Sequence, residues 1–182
     1  MPTLAKFHLR YATPSDGPAI SALIARSARG LGDSHYTPEQ IEAALTGAFG
    51  LDTQLIADRT YFVAELHGGL VGCGGWSRRR TLFGGDARRQ RDSATLDPVH
   101  DAARIRAFFV DPAFARHGIG RALLERCEAE AAAAGFRSFA LMATLPGLRL
   151  YEAMGYTVGE PLDHSLQPGL SIRFVPMHRD HE

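Results

Sequence analysis

VDPAFARHGIGRALLERCEAEAAAAGF, residues 110–136, places Gly118 and Gly120 between an apolar run that stops at Asp111-Pro112 and a long alanine-rich helical segment. Glycine is about 1 kcal/mol worse than alanine in a helix interior, so a pair at a helix entrance marks a backbone that has to be approached closely. A strand feeding such a turn presents unpaired amides and the positive end of the helix dipole together, which suits a phosphate. For the two glycines alone, a tight turn needing small residues is an equal explanation. The stretch is not a dinucleotide fingerprint, because the third glycine position holds Leu123 and the motif lies late in the chain.

Working outward, ARIRAFFVD at 103–111 reads as the strand feeding this turn, and the helix opened by Gly118 runs to Ala134, where Gly135 stops it. RSFALMAT at 137–144 is the next strand, PGLRLYEAM at 146–154 a short helix ended by Gly155, and YTVGE at 156–160 and LSIRFVPMH at 170–178 finish the sheet. Upstream, FHLRYA at 7–12 alternates like a half-buried strand. TPSD at 13–16 then opens a helix from Ser15 to Arg29 with Ile20, Leu23, Ile24 and Ala28 inward, ended by Gly30 and Gly32. Thr37-Pro38-Glu39-Gln40 is a capping box that starts a second helix carrying Ile41, Ala44 and Leu45 inward. TYFVAEL at 60–66 and LVGCGGWS at 70–77 form a hairpin around HGG. Residues 78–102 lack apolar periodicity and are expected to form a long, exposed, partly mobile loop, with Arg78, Arg79, Arg80, Arg88, Arg89 and Arg91 as a solvated basic cluster.

Hairpins mixed with helical crossovers predict an α/β (α+β) fold. Its sheet is mixed and mostly antiparallel, of about seven strands, with helices on both faces and residues 1–182 in a single domain. Twenty basic and twenty acidic residues cancel, so no global field draws the chain to nucleic acid or anionic lipid. No run approaches the ~18 apolar residues of a membrane span, and Met1 to Lys6 lead into no apolar leader core, so a cytoplasmic location is expected. Cys73 and Cys127 form no CxxC pair and read as reduced and buried, and the eight histidines lack metal-ligand spacing.

Two motifs in order then carry a resemblance. Ala115-Arg116-His117-Gly118-Ile119-Gly120 resembles the (Arg or Gln)-x-x-Gly-x-(Gly or Ala) segment of the GCN5-related N-acetyltransferase (GNAT) superfamily. LRLYEAMGYT at 148–157 resembles that family's L-Y-E-x-x-G-(F or Y) segment. The likeness extends over the chain and is strongest from Ala107 to Tyr156. This sequence departs from the pattern at Ala115, where the family has Arg or Gln and where Arg116 is a neighbouring substitute. It departs again at Thr144, where an asparagine is common.

The resemblance implies acetyl-CoA as co-substrate, with the pyrophosphate on the amides of Arg116, His117, Gly118, Ile119, Gly120, Arg121 and Ala122, and with Phe109 and Val110 alongside the pantetheine arm. It implies direct transfer of acetyl to a primary amine in a ternary complex, without metal, with Tyr151 as general acid and amides near Val110 polarising the thioester carbonyl. A phenol with pKa near ~10 stays protonated at neutral pH, as that role requires. Many relatives keep a glutamate where this chain has Arg104 or Arg106, and the remaining base candidates, Glu65, His100, Asp101 and His35, read as ordinary surface residues. Trp76 and Phe83 are placed either at the rim of the acceptor pocket or in the core. The acceptor, a small molecule or a protein amine, is not encoded, and a homodimer is compatible with the family's habit of pairing. A catalytically silent acetyl-CoA sensor on the same fold is the alternative, and a nucleotide-binding protein unrelated to coenzyme A is a further one.

Overall fold

His8–Tyr11 (β1) pairs antiparallel with Tyr61–Leu66 (β2), which turns through His67 and Gly68 at positive φ into Gly69–Ser77 (β3). Ala103–Val110 (β4) lies antiparallel to β3 and parallel to Ser138–Thr144 (β5). Leu170–Asp180 (β8) pairs antiparallel with β5, and its other side carries both Thr157–Val158 (β6) and Leu162–Gln167 (β7). The computed structural model that gives this architecture describes residues 6–88 and 91–182. Arg89 of the basic cluster and residues 1–5 lie outside the described residues.

The sheet is the mixed, mostly antiparallel one expected, with eight strands among the described residues in place of about seven. The added strand is β7, a half-exposed hairpin partner of β8 whose Leu-Asp-His-Ser-Leu-Gln pattern offers only weak alternation. Helices cover both faces. Gly17–Gly32 (α1) and Pro38–Ala44 (α2) bury Ile20, Leu23, Ile24, Ile41 and Ala44 against one face, where Tyr61 and Val63 of β2 meet them. Ile119–Ala133 (α4) and Leu148–Ala153 (α5) cover the other, where Phe62 and Ala64 of the same strand point. This is the period of two that separates a strand's faces. The Thr37 capping box forms as read, Thr37 Oγ1 accepting from Gln40 N at 3.2 Å and Gln40 Oε1 accepting from Thr37 N at 2.8 Å. A five-residue helix at Thr53–Ala57 (α3), capped by Asp52, carried no periodic signal and is new.

Two expectations are corrected. Gly30 does not end α1, which runs on to Gly32; a Cβ at Gly30 would sit 2.3 Å from Pro112 Cγ, so this glycine is a point of close approach between α1 and the turn after β4. The described residues of 78–102 do lack helix and extended strand, but they are no freely solvated loop: Thr81, Gly85 and Leu96 are buried. Arg79 is bound to Asp58 at 2.7 Å, Arg88 stacks over Phe83 at 4.1 Å, and Arg91 reaches the fully buried Asp52 at 3.1 Å. Asp52 also faces Arg106 at 2.7 Å, and Arg106 donates to the Gly84 carbonyl at 2.6 Å. Buried thiols at Cys73 and Cys127 agree with the reading of both cysteines.

Asp52→Ala strands the Arg106 charge in the interior and should cost about 3–5 kcal/mol. Arg91→Ala leaves the Asp52–Arg106 pair intact and should lose clearly less; urea denaturation of both variants checks this, and equal losses would contradict it. Gly30→Ala gains helix propensity but drives a methyl into a proline ring, a rigid neighbour. Overpacking of roughly 1–3 kcal/mol should win and lower Tm by a few degrees, whereas a raised Tm would mean that propensity dominates.

Candidate active site

The site begins where two central strands part. β4 and β5 share parallel register only over Ala103, Ile105 and the residue between them. Beyond that, the β3–β4 register shifts between Cys73 and Gly75, and Ala107 adopts φ 57. An extra residue in one strand of a ladder bends that strand and increases its twist. The left-handed alanine is held from below, since Tyr61 Oη and Cys73 Sγ approach its carbonyl at 3.3 and 3.6 Å. Burial pushes the Cys73 thiol up to about 12, so it stays a neutral thiol in this contact. Gly74 lets Phe108 cross the bulge, because a Cβ there would meet the phenyl ring at 2.8 Å.

A cavity of about 470 Å³ opens at the parting. One wall is Phe108, Phe109 and Val110 at the end of β4. Another is the entrance to α4, and α1 and α5 close the sides through Ser27, Leu31, Leu150 and Tyr151. Asp111 caps the turn after β4, accepting from Ala113 N at 2.9 Å, and Arg26 fixes the same carboxylate at 3.1 Å. Arg116 and Gly118 then take φ 66 and φ 81, and the first helical hydrogen bond runs from Ala122 N to the Gly118 carbonyl at 3.0 Å. The amides of Ile119, Gly120 and Arg121 fall before that bond and donate to no described residue. At Gly120 a Cβ would come within 2.9 Å of Leu150 Cδ2, so the glycine sets how closely α4 and α5 approach.

The charge in this cavity is one-sided. Arg116, Arg121 and Arg149 line it, and among the described residues no aspartate or glutamate does. Together with amides at a helix N-terminus, this is a surface made for an anion.

Of the residues singled out in the sequence, Phe109, Val110, Arg116, Gly118, Ile119, Gly120, Arg121 and Tyr151 come together at this cavity. His117 and Ala122 do not: the His117 ring turns back onto the Ala115 carbonyl at 2.8 Å, and the Ala122 amide is committed to Gly118. The Val110 amide donates to Ser27 Oγ at 3.2 Å, so an incoming oxygen there would share or replace Ser27. Ser27, Tyr36 and Arg149 are wall residues that sequence reasoning missed. Only the helical register of α1 and α5 relative to the neighbouring motifs pointed toward Ser27 and Arg149, and Tyr36, between α1 and α2, carried no such signal.

Tyr151 is buried, edge-on to Phe108 at 6.3 Å and to Tyr156 at 5.9 Å. Tyr156 is itself fixed by Glu128 at 2.8 Å, and Arg179 binds the same carboxylate at 2.8 Å. The Tyr151 hydroxyl has no described protein partner, and burial pushes the phenol well above its ordinary range, so it keeps its proton. Through the parting lies a second, smaller space of about 60 Å³ that shares Phe49, Phe108, Phe109, Thr144 and Tyr151 with the first. Phe83 lines it, whereas Trp76 is a core residue packed on Phe136. None of Glu65, His100, Asp101 and His35 lines either space: Glu65 is tied to Arg10 at 2.9 Å, and His100 to Asp97 at 2.7 Å.

Among known structures, the chain is similar to a GCN5-related N-acetyltransferase from Rhodopseudomonas palustris, at 20% identity and a TM-score of 0.72 over 99% of each chain. It is also similar to the PaiA N-acetyltransferase from Thermoplasma acidophilum in complex with coenzyme A, at 14% identity and a TM-score of 0.66 over 97% of this chain and 99% of that one. A GNAT family acetyltransferase from Brucella melitensis in complex with acetyl-CoA shares 21% identity over 84% of each chain, with a TM-score of 0.54. A comparison with curated proteins returns no match. At these identities the structures speak for the fold, and the family rests on the sequence: the family model described as an acetyltransferase (GNAT) domain matches residues 57–158, the stretch from the hairpin through the parted strands to β6, and the chain belongs to the GNAT acetyltransferases.

Proposed function

We propose that this protein is an N-acetyltransferase that transfers acetyl from acetyl-CoA to a primary amine by direct attack within a ternary complex. The observation that carries this reading is the α4 entrance: among the described residues, three amides there have no protein acceptor and no aspartate or glutamate lines the cavity beside Arg116, Arg121 and Arg149, although Arg121 also reaches Glu125 at 3.7 Å outside it, and the gap between parted strands lies alongside. A diphosphate fits the first feature, and an extended amide-bearing arm fits the gap. Two of the similar structures are complexes with coenzyme A or acetyl-CoA, which supports the same ligand here.

In this reading the amides of Ile119, Gly120 and Arg121, with Arg116 at the turn, hold the diphosphate. Gly118 supplies the left-handed bend that aims them, and His117 and Ala122 contribute no direct contact. Phe109 and Val110 offer strand-edge groups to the arm. Acetyl-CoA supplies an already activated thioester, so the protein's task is to position an amine and to protonate the departing sulfur. Tyr151 performs the second part. Tyr151 lines both spaces, burial keeps its phenol protonated, and its ring packs between Phe108 and Tyr156, which holds the donor in place. The location expected for such an enzyme is the cytoplasm; among the described residues no helix is long and apolar enough to cross a membrane.

Tyr151→Phe should lower kcat for free-thiol release by ~100-fold or more while leaving calorimetric acetyl-CoA affinity unchanged. An unaltered rate removes Tyr151 from the mechanism. Because burial raises the phenol pKa, the acid form persists above the ordinary value of about 10. The wild-type kcat profile should therefore show no alkaline loss from this group between pH 7 and roughly 10.

A further inference from the structure

The second space, across the parted strands from the α4 entrance, has a composition that restricts what enters it. Phe49, Leu82, Phe83, Met142 and Phe174 give it apolar, largely aromatic side-chain walls, with Thr144, Tyr151 and Arg106 completing a lining that is about half polar, and its volume of about 60 Å³ is on the order of a few waters. Among the described residues it has no carboxylate and no imidazole. Its one charged wall residue is Arg106, already matched by Asp52 and by the Gly84 carbonyl. His164 stacks on Phe174 and meets Phe83 edge-on, but it is not a wall of the space.

Resting on the acetyltransferase reading, we infer that the acceptor is a small aryl amine, neutral at physiological pH, and not a polyamine or another strongly basic amine. Two physical terms lead there. An alkyl ammonium with a pKa near that of lysine, about 10.4, is almost wholly charged at pH 7 and needs a base before it can attack. This chamber supplies none, and because its one guanidinium is already matched by Asp52, the charged form finds no counter-ion there. A second ammonium, as in a polyamine, would be buried without a partner, at a cost of several kcal/mol.

An aryl amine avoids both terms, since its nitrogen lone pair is free in water and its ring matches the phenylalanine walls. The new N–C bond then forms as the C–S bond breaks. The sulfur takes the Tyr151 proton, and the proton lost from nitrogen returns to the phenolate through water, so no further reactant is needed.

The test is a panel of aniline, benzylamine, putrescine and spermidine, assayed for thiol release at pH 7. Calorimetric binding of aniline without acetyl-CoA reports on the chamber alone. Aniline should lead in kcat/KM by at least tenfold, and Phe83→Ala should weaken its binding by about tenfold without changing acetyl-CoA affinity. Met142→Glu, which places a carboxylate in the chamber, should shift preference toward benzylamine. A preference for putrescine or spermidine, or no preference, overturns the inference. So does absence of aniline binding and turnover in a protein that still binds acetyl-CoA, an outcome that leaves the cofactor reading standing; failure to bind acetyl-CoA would sink that reading instead.

Discussion

The parting of β4 from β5 is the constraint on which the rest depends. A parallel pair that stayed in register would fill the middle of the sheet with ladder hydrogen bonds and leave no gap between the two faces. Here the pairing ends after Ile105 and Leu141, and the left-handed Ala107 redirects β4. A non-glycine residue held in that region costs on the order of 1 kcal/mol, so the surroundings must over-determine it. Tyr61, Cys73 and the space left by Gly74 do so. The result is a passage whose two ends differ in their walls, arginines and free amides beside α4, phenylalanine side chains beside Phe83.

Each end is then set by elements distant in sequence. The α4 side is completed by α1, whose Gly30 lets the helix reach Pro112 and whose Ser27 holds the Val110 amide. The Phe83 side is completed by the 78–102 segment, kept in place because its arginines find carboxylates at Asp52 and Asp58. Asp52 serves twice, neutralising Arg106 in β4 and Arg91 in the covering segment. The charge of the passage and the seating of its cover are therefore coupled through one buried carboxylate.

What the sequence disclosed follows from the range of the interactions involved. Caps, turns and glycine stops act within a few residues, so the Thr37 box, the hairpin turn at Gly68 and the α4 entrance could be read directly. Gly30 misled because a glycine used for close approach looks the same in sequence as one that ends a helix. The arginine-rich segment looked solvated because the carboxylates that anchor it from outside, Asp58 for Arg79 and Asp52 for Arg91, lie 21 or more residues away. β7 was overlooked because a half-exposed edge strand needs little apolar alternation. Among the site residues, the motif positions that met at the cavity did so through the glycine turn, whose backbone was the signal, and through Tyr151, whose side chain was. Arg149 and Ser27 carried no such mark, and His117 and Ala122 shared the motif without reaching the cavity.

The most direct measurement of the central claim is the amide ¹H–¹⁵N spectrum of the protein titrated with acetyl-CoA. Ile119, Gly120 and Arg121 should show the largest downfield proton shifts as their N–H groups gain a charged acceptor, with Ala122 moving little because its amide is already bonded. Saturable binding that leaves those three resonances in place would contradict the account.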